Sequence, residues 1–325
     1  MDKNIVIFSD GTGQRGGLLF EERRSNIYKL YRATRCGPDS SINPSEQLAY
    51  YDPGIGTVPG GLGLVGAIAR KIYNLVSQAT GLGLTANIVD CYAAILRLWQ
   101  PGDRIFLFGF SRGAYTVRCV SGVLALCGVP TQMKDGSPLK RDQSSVRKIA
   151  KEAVKKVHQH VSSPRDAKYV PQRQALAERF RKAYASDARG DSNANPHLIG
   201  VFDTVASIAS LGSLMIVVGL AFLSVALASA VLWLFLSSFW FWFRCLTATM
   251  VFGAFIAYLV THTKVAFGLE AYRWWETLHF TDARIKFFDT QLDPNVGSKA
   301  SSIEIRSTRG VKSLSTLMAA SPSRW

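Results

Sequence analysis

A serine between two glycines, at the end of an apolar run, is the strongest chemical signal in this sequence. Ser111 stands in a G-x-S-x-G pattern between Gly109 and Gly113, after the apolar run 105–110 and before a helical pattern rich in small residues. A nucleophile elbow needs this order of strand, serine and helix, because its tight turn lifts the hydroxyl above the sheet. Side chains two residues from the serine would collide there, so glycine suits both positions. The pattern predicts a nucleophilic serine; a chance match in a buried strand and helix is the alternative.

Other strand ends offer the groups that assist such a serine. The helix after the serine directs its N-terminus at the reaction centre, so the amide of Arg112 is a candidate oxyanion donor. Gly11 and Thr12 follow an early strand, where a second donor is often found, although a plain Asp-Gly turn also explains them. Asp203 ends a later apolar strand and follows the serine in chain order, as a triad acid does. An Asp-Thr turn or cap is the alternative for that residue.

The sequence contains five histidines as candidates for the general base. His158 and His160 precede the acid and lie in a basic helical stretch, and His197 begins the strand that the acid ends. Only His262 and His279 follow the acid in chain order. We take His279 as the candidate base, and a solvated or interfacial histidine is the alternative.

Alternating strands and helices would position these residues. Apolar runs at 5–8, 47–51 and 197–202 predict buried strands beside the elbow strand, and residues 85–98 have helical periodicity. Strands that alternate with helices are typical of an α/β fold with a mostly parallel sheet. We therefore expect an α/β core over residues 1–205.

Composition and charge limit the partners. Net charge is +15, and residues 134–189 hold 15 Lys and Arg against 6 Asp and Glu. This stretch belongs to an expected helical insertion, 131–195, whose charge suits an anionic lipid surface; a solvated face is the alternative. Aromatic residues are not interleaved with these cations, so we expect no nucleic-acid partner. Five irregularly spaced cysteines without C-x-x-C predict neither a disulfide framework nor a zinc site, and no metal or cofactor is expected.

A long apolar region predicts membrane insertion. Residues 204–263 contain one Arg and no Asp, Glu or Lys. A membrane span needs about 20 apolar residues, so we expect a transmembrane hairpin over 206–263 with spans at about 211–234 and 244–262. The aromatic run 239–243 would form an interfacial belt at the turn, and a buried helix pair is the alternative. With no signal peptide and basic flanks, both termini and the catalytic part are expected on the cytoplasmic side of a bacterial inner membrane.

The region after the hairpin is expected to be less ordered. Residues 264–297 would form a membrane-proximal cytoplasmic segment that begins with a polar helix carrying Trp274 and Trp275 near the bilayer. Residues 298–325 are rich in Ser, Lys and Arg and show little periodicity, so we expect a disordered tail. Nothing in the sequence indicates an oligomeric state.

Several stretches together resemble one family. They are 8–12 (FSDGT), 51–57 (YDPGIGT), 101–103 (PGD), 107–114 (LFGFSRGA) and 199–205 (IGVFDTV). Over roughly 1–205 the chain resembles the α/β-hydrolase family of type VI secretion phospholipase effectors and their uncharacterised relatives, with weaker similarity to members that carry a membrane hairpin. The resemblance implies an α/β-hydrolase-like sheet, a Ser–Asp–His triad with Ser111 as nucleophile and Asp203 as acid, and ester or phospholipid hydrolysis.

The chain departs from this family after residue 297. Members continue past the equivalent of Pro294 with a His-Ala…Asp-Glu segment and then a G-x-H-S-D-x-G-G stretch that supplies the triad histidine; neither is present here. We therefore expect a truncated or frame-shifted C-terminus. The sequence therefore leaves two functions open. The first is a membrane-anchored serine esterase or lipase, and the second is a catalytically impaired membrane module that binds lipid or a partner.

Overall fold

A five-stranded parallel sheet with strand order β2-β1-β3-β6-β9 forms the centre of the described chain. The computed structural model describes residues 2–11, 24–53, 82–161, 164–202, 211–235, 238–269, 271–280 and 301–305. The strands are β1 Asn4–Ser9, β2 Gln47–Asp52, β3 Arg104–Phe110, β4 Asp187–Ala188, β5 Asp191–Ser192, β6 Pro196–Phe202, β7 Thr263–Lys264, β8 His279–Phe280 and β9 Ser301–Ile305. The α-helices are α1 Asn26–Thr34, α2 Leu82–Leu98, α3 Arg112–Cys127, α4 Gln143–Glu152, α5 Val170–Tyr184, α6 Leu211–Phe235 and α7 Phe239–His262.

Helices cover both faces of the sheet, as the apolar strand runs predicted. Successive side chains of a strand point to opposite faces. On one face, Ile7 and Leu107 are buried in the cluster that α2 and α3 complete. On the other, Phe8 stacks on Phe108 with ring centroids 5.4 Å apart, and Ile27 of α1 covers them. The expected α/β architecture with a mostly parallel sheet is therefore confirmed.

The basic insertion shares the core of the sheet. α4 lies against α2, and α5 lies against α3. The apolar side chains of the insertion that join the buried cluster of the strands include Val146, Ile149, Leu176 and Phe180. A π-helical turn, Ala153–Val157, continues α4, and 3₁₀ turns follow at His158–His160 and Pro164–Tyr169. Its exposed cations include Lys148, Lys151, Lys155 and Lys156. The insertion thus buries an apolar face and presents a cationic one.

Two apolar helices, α6 and α7, lie against each other. Among the described residues, one stretch, Phe239–Val260, is long and apolar enough to cross a membrane, and none of its apolar window is buried. The apolar stretch of α6, Ala221–Leu234, is shorter. α7 begins at Phe239, so the aromatic run 239–243 forms its first turn and the predicted span of about 244–262 lies within the same helix. A two-span membrane hairpin stays a prediction.

The region after α7 differs from its prediction in two places. Instead of a polar helix, β7 pairs antiparallel with β8, with turns between them. The predicted disorder is wrong for Ser301–Ile305, which pairs in parallel with β6. Residues 302–305 alternate between polar and apolar side chains, which suits a strand. The backbone of this segment finds its hydrogen-bonding partners on β6, and composition alone does not reveal such a partner. The rest of 281–325 lies outside the described residues.

Candidate functional site

The backbone at Ser111 has the strained geometry of a nucleophile elbow. Ser111 follows β3 directly and caps α3 with φ 54° and ψ −116°. A non-glycine residue with positive φ in a sparsely populated region costs about 1–3 kcal/mol and persists where the surroundings enforce it. Its amide donates a hydrogen bond to the Phe202 carbonyl at 3.0 Å, which ties the turn to the end of β6. The side chain is half-buried, so the hydroxyl stands at the rim of the sheet.

The flanking glycines are required by close backbone approach. A Cβ added at Gly109 would lie 2.4 Å from the Gly113 carbonyl oxygen. One added at Gly113 would lie 2.0 Å from the Ser9 carbonyl oxygen. Because real Cβ atoms do not approach backbone this closely, the turn and the end of β1 require glycine at both positions. The steric prediction made from the G-x-S-x-G spacing is therefore matched by the geometry.

The loop after β1 lies beside the serine. A Cβ added at Gly11 would lie 3.3 Å from the Ser111 Cβ, so the two residues are neighbours. The Gly11 amide, however, donates to Asp10 Oδ1 at 2.8 Å, which engages it away from an oxyanion. Thr12 lies outside the described residues. The Arg112 amide belongs to the first turn of α3, whose amides have no helical acceptor, so its role as an oxyanion donor stays a prediction.

Arg112 contributes a second polar group. Its Nη1 is buried and has no hydrogen-bond partner among the described residues. Burial also lowers the pKa of this guanidinium from its usual value. A buried guanidinium nitrogen without an acceptor is costly, so an anionic or carbonyl group placed beside Nη1 would be stabilised.

Two buried carboxylates hold the loop beside the serine, and the sequence analysis did not single them out. Asp10 is 1% exposed, and its Oδ2 accepts hydrogen bonds from the Tyr51 hydroxyl at 2.7 Å and from Ser25 Oγ. Together with the Gly11 contact, these bonds anchor the β1 loop to β2 and to the start of α1. The signal that could have found Asp10 is its place at the carboxyl end of a buried strand.

Asp52 ends the neighbouring strand in the same position. Its Oδ2 accepts hydrogen bonds from Ser9 Oγ and Asn87 Nδ2, each at 2.9 Å. Burial raises the pKa of Asp52 to about 7, against the opposing effect of these hydrogen bonds. The Asp52 carbonyl also accepts from the Asp10 amide at 3.0 Å. Asp10 and Asp52 therefore position the loop rather than face the serine as free carboxylates.

Asp203, the predicted acid, lies outside the described residues. Its predecessor, Phe202, is the residue whose carbonyl accepts the Ser111 amide. The residue before Asp203 is therefore hydrogen-bonded directly to the turn that carries Ser111.

The structure places His279 against the insertion. It is 6% exposed, Nδ1 lies 2.9 Å from the Thr277 carbonyl oxygen and Nε2 lies 2.9 Å from the His160 carbonyl oxygen. Its ring stacks on Tyr169 with centroids 3.8 Å apart. Both ring nitrogens therefore lie against backbone carbonyl oxygens, and neither of these two contacts, nor the stacking on Tyr169, involves Ser111.

His158 and His160 are held in apolar surroundings. Burial lowers the pKa of each to about 4, and the positive charge of Arg173 adds to the effect at His158. His160 Nε2 bonds the Gln172 amide at 3.2 Å, whereas neither ring nitrogen of His158 has a hydrogen-bond partner in the described part of the chain. His158 Nε2 lies 3.0 Å from where a Cβ on Gly122 would stand. This packing against the middle of α3 keeps it away from the N-terminus of that helix.

Because the pKa values of His158 and His160 are lowered, we expect the free energy of unfolding to fall as the pH falls. An unfolded histidine has a pKa near 6.5, so between pH ~6.5 and ~4 the unfolded chain takes up protons that the native chain does not. Each such group lowers the free energy of unfolding by about 1.4 kcal/mol per pH unit within that window. His158→Leu is expected to remove one such contribution, measured by chemical unfolding of the full chain in detergent from pH 7.5 to 4.5. The control is Gln174→Leu, which changes an exposed side chain of the same insertion that carries no titratable group and should leave the slope unchanged. An unchanged slope in His158→Leu would contradict the assignment.

The described residues contain no group of three or more His, Cys, Asp or Glu positioned to hold a metal ion. No cofactor-binding arrangement is evident among them. The described site therefore consists of Ser111, the Arg112 amide and guanidinium, and the loop held by Asp10 and Asp52.

Several known proteins are similar to parts of this chain. The family model for the type VI secretion phospholipase effector Tle1-like catalytic domain matches residues 3–232. An uncharacterised protein of Saccharomyces cerevisiae is 31% identical over 211 residues, which cover 63% of this chain and 27% of that protein. The chain thus spans about a quarter of the length of that curated relative.

Two solved structures are also similar to part of the chain. One is the crystal structure of an uncharacterised protein from Pseudomonas aeruginosa, at 17% identity and a TM-score of 0.27, covering 64% of this chain and 30% of that one. The other is the Tle1 effector bound to the VgrG spike of the type 6 secretion system, at 18% identity and a TM-score of 0.25, covering 65% of this chain and 39% of that one.

Proposed function

The chain belongs to the family of type VI secretion Tle1-like phospholipase effector catalytic domains, and we propose that it is a membrane-anchored serine hydrolase that cleaves carboxylic esters of lipids. The observation that carries the proposal is the strained backbone of Ser111 at the junction of β3 and α3. Strain of this kind is kept where it serves a function. A hydroxyl raised above the sheet beside free helix N-terminal amides is the arrangement that acyl transfer needs.

The mechanism would proceed through an acyl-enzyme. Ser111 Oγ attacks the ester carbonyl as its proton passes to a base, and the tetrahedral oxyanion is stabilised by the Arg112 amide and by an amide of the β1 loop, of which Thr12 is our candidate. The alcohol leaves with a proton, and water then releases the acid. Asp203 is proposed as the acid that orients the base. His279 would serve as that base only after leaving the carbonyls of Thr277 and His160.

The membrane part of the proposal rests on α7 and on the insertion. Phe239–Val260 is apolar and unburied, and the stretch from Asp203 to Leu211 extends over at most ~28 Å. An active site that begins at Asp203 therefore lies close to the bilayer. We propose the predicted hairpin, with the core and both termini on the cytoplasmic side of a bacterial inner membrane. The exposed lysines of the insertion would hold the core against anionic headgroups.

An interfacial assay tests the lipid substrate. We expect hydrolysis to rise on anionic vesicles relative to monomeric short-chain esters, and to fall as salt rises. A variant with Lys148, Lys151, Lys155 and Lys156 changed to Gln should lose about tenfold or more on vesicles, since each cation contributes about 1 kcal/mol near such a surface. The charge-matched control changes Arg24, Lys29, Arg97 and Arg104 to Gln; these residues are also exposed. Equal rates in all three proteins and no increase on vesicles would contradict the lipid reading.

One observation favours a second function. Within the described part of the chain, both ring nitrogens of His279 lie against backbone carbonyl oxygens, His160 Nε2 lies against Gln172, and none of these contacts involves Ser111. A chain without a base at the serine would act as a catalytically impaired membrane module that binds lipid or a partner. A folded protein that binds vesicles but never reacts with a serine-directed probe would support this function.

A further inference from the structure

The chain segment after α7 exposes a concentrated set of large apolar side chains. We call residues 263–269 and 271–280 the strap. Its exposed side chains are Val265, Phe267, Trp274, Trp275, Leu278 and Phe280, between 38% and 64% exposed. The rings of Phe267, Trp274 and Trp275 are neighbours, with centroids 6.5 and 5.7 Å apart along this series. Neighbouring exposed apolar side chains mark an interaction site on a folded protein.

Polar contacts bind the backbone of the strap to the insertion. Arg179 Nη1 donates to the carbonyl oxygens of Phe267 at 2.6 Å and Gly268 at 2.9 Å. Gln172 Nε2 donates to the Glu276 carbonyl at 3.2 Å. The contact between His279 and the His160 carbonyl adds a third attachment. The strap is therefore bound along its length to the core.

Internal contacts fix which way its side chains point. Thr277 Oγ1 accepts from the Ala266 amide at 2.9 Å and lies 2.7 Å from the Trp274 carbonyl oxygen, which closes the strap on itself. Ala266 and Leu269 are buried in the same cluster as the central strands. Ala266 and Leu269 thus face the core, whereas Phe267, Trp274, Trp275 and Phe280 are left facing outward.

The strap is continuous with the candidate membrane helix. β7 begins at Thr263, directly after α7, and Phe280 folds back on the last turn of that helix, where its ring centroid lies 5.9 Å from Tyr258. Trp and Tyr concentrate at the boundary between headgroups and acyl chains. Arg273 lies over the Trp275 ring at 5.3 Å, which places a cation beside the aromatic side chains.

We propose that the strap docks onto the headgroup–acyl boundary of the bilayer and so holds the catalytic core at a fixed side of the membrane. The inference rests on the membrane anchoring proposed above and extends it, because a helix alone would leave the core free to turn. The occupant is a lipid surface, because the exposed aromatic side chains begin where an unburied apolar helix ends and the carbonyls of Phe267, Gly268 and Glu276 are already bonded to the insertion.

Site-directed spin labelling tests this placement in the full chain. Labels at Phe267→Cys and Leu278→Cys, in a background with Cys36→Ser and Cys245→Ser, are compared with a label at Glu46→Cys, an exposed site on the core. The protein is reconstituted in phosphatidylcholine–phosphatidylglycerol liposomes, and incorporation is measured separately by flotation. Both strap labels should collide more with oxygen, which partitions into lipid, and less with a water-soluble nickel chelate than the Glu46 label does.

Each other outcome overturns the inference in a distinct way. Flotation with strap labels that behave like the Glu46 label would leave membrane anchoring intact and remove the docking surface. Flotation with strap labels shielded from both reagents would show a protein partner or a second copy on the strap. Failure to float would remove membrane anchoring and the strap's role together.

Discussion

Ser111→Ala is expected to abolish covalent labelling of this protein by a fluorophosphonate probe. The wild-type hydroxyl stands at a strained strand-to-helix turn beside the N-terminus of α3, where its attack on phosphorus would be assisted by the Arg112 amide. Removal of a triad serine can cost about 10⁶ in kcat, so ester hydrolysis should fall to background as well. Labelling is read by gel fluorescence, and hydrolysis is measured on the same preparations.

The matched control is Ser45→Ala, which alters an exposed serine far along the chain from the elbow and should label like the wild type. Equal labelling of Ser111→Ala and wild type would refute the nucleophile. A folded wild type that does not label, while binding vesicles, would favour the impaired module over the enzyme.

Gly113→Ala is expected to prevent stable folding. Its Cβ would stand 2.0 Å from the Ser9 carbonyl oxygen and 2.8 Å from that of Asp10, so β1 and α3 would have to separate. Neither neighbour is a flexible side chain that can move aside. Overpacking in a core commonly costs about 1–3 kcal/mol, and a backbone overlap at the centre of the sheet should exceed that range. Thermal unfolding in detergent and soluble yield measure the effect.

Gly253→Ala provides the control, because this helical glycine has no heavy atom within 4 Å of an added Cβ. Alanine favours a helix over glycine by about 1 kcal/mol, so this variant should be as stable as wild type or more stable. A Gly113→Ala protein as stable as Gly253→Ala would contradict the close approach of β1 to the elbow helix.

Local patterns in the sequence were sufficient to predict the strand-to-helix turn at Ser111 and the sheet strands around it. The apolar runs at β1, β3 and β6 and the glycines around Ser111 are governed by side-chain alternation and short-range sterics, which act between residues close in the chain. After residue 263, the local sequence pattern did not distinguish a helix from a hairpin. There the sequence predicted a helix, and the structure has a short hairpin whose stability comes from Arg179 and Gln172, about a hundred residues away.

Periodicity and spacing were enough to predict a serine at the end of an apolar strand and an apolar region after the core. They did not predict that Asp10 and Asp52 brace the loop beside Ser111, that Asp10 engages the Gly11 amide, or that His279 lies against the carbonyl oxygens of Thr277 and His160. The reason is physical: periodicity and turn sterics act over a few residues, whereas a buried hydrogen bond depends on which distant segments the packed core brings together.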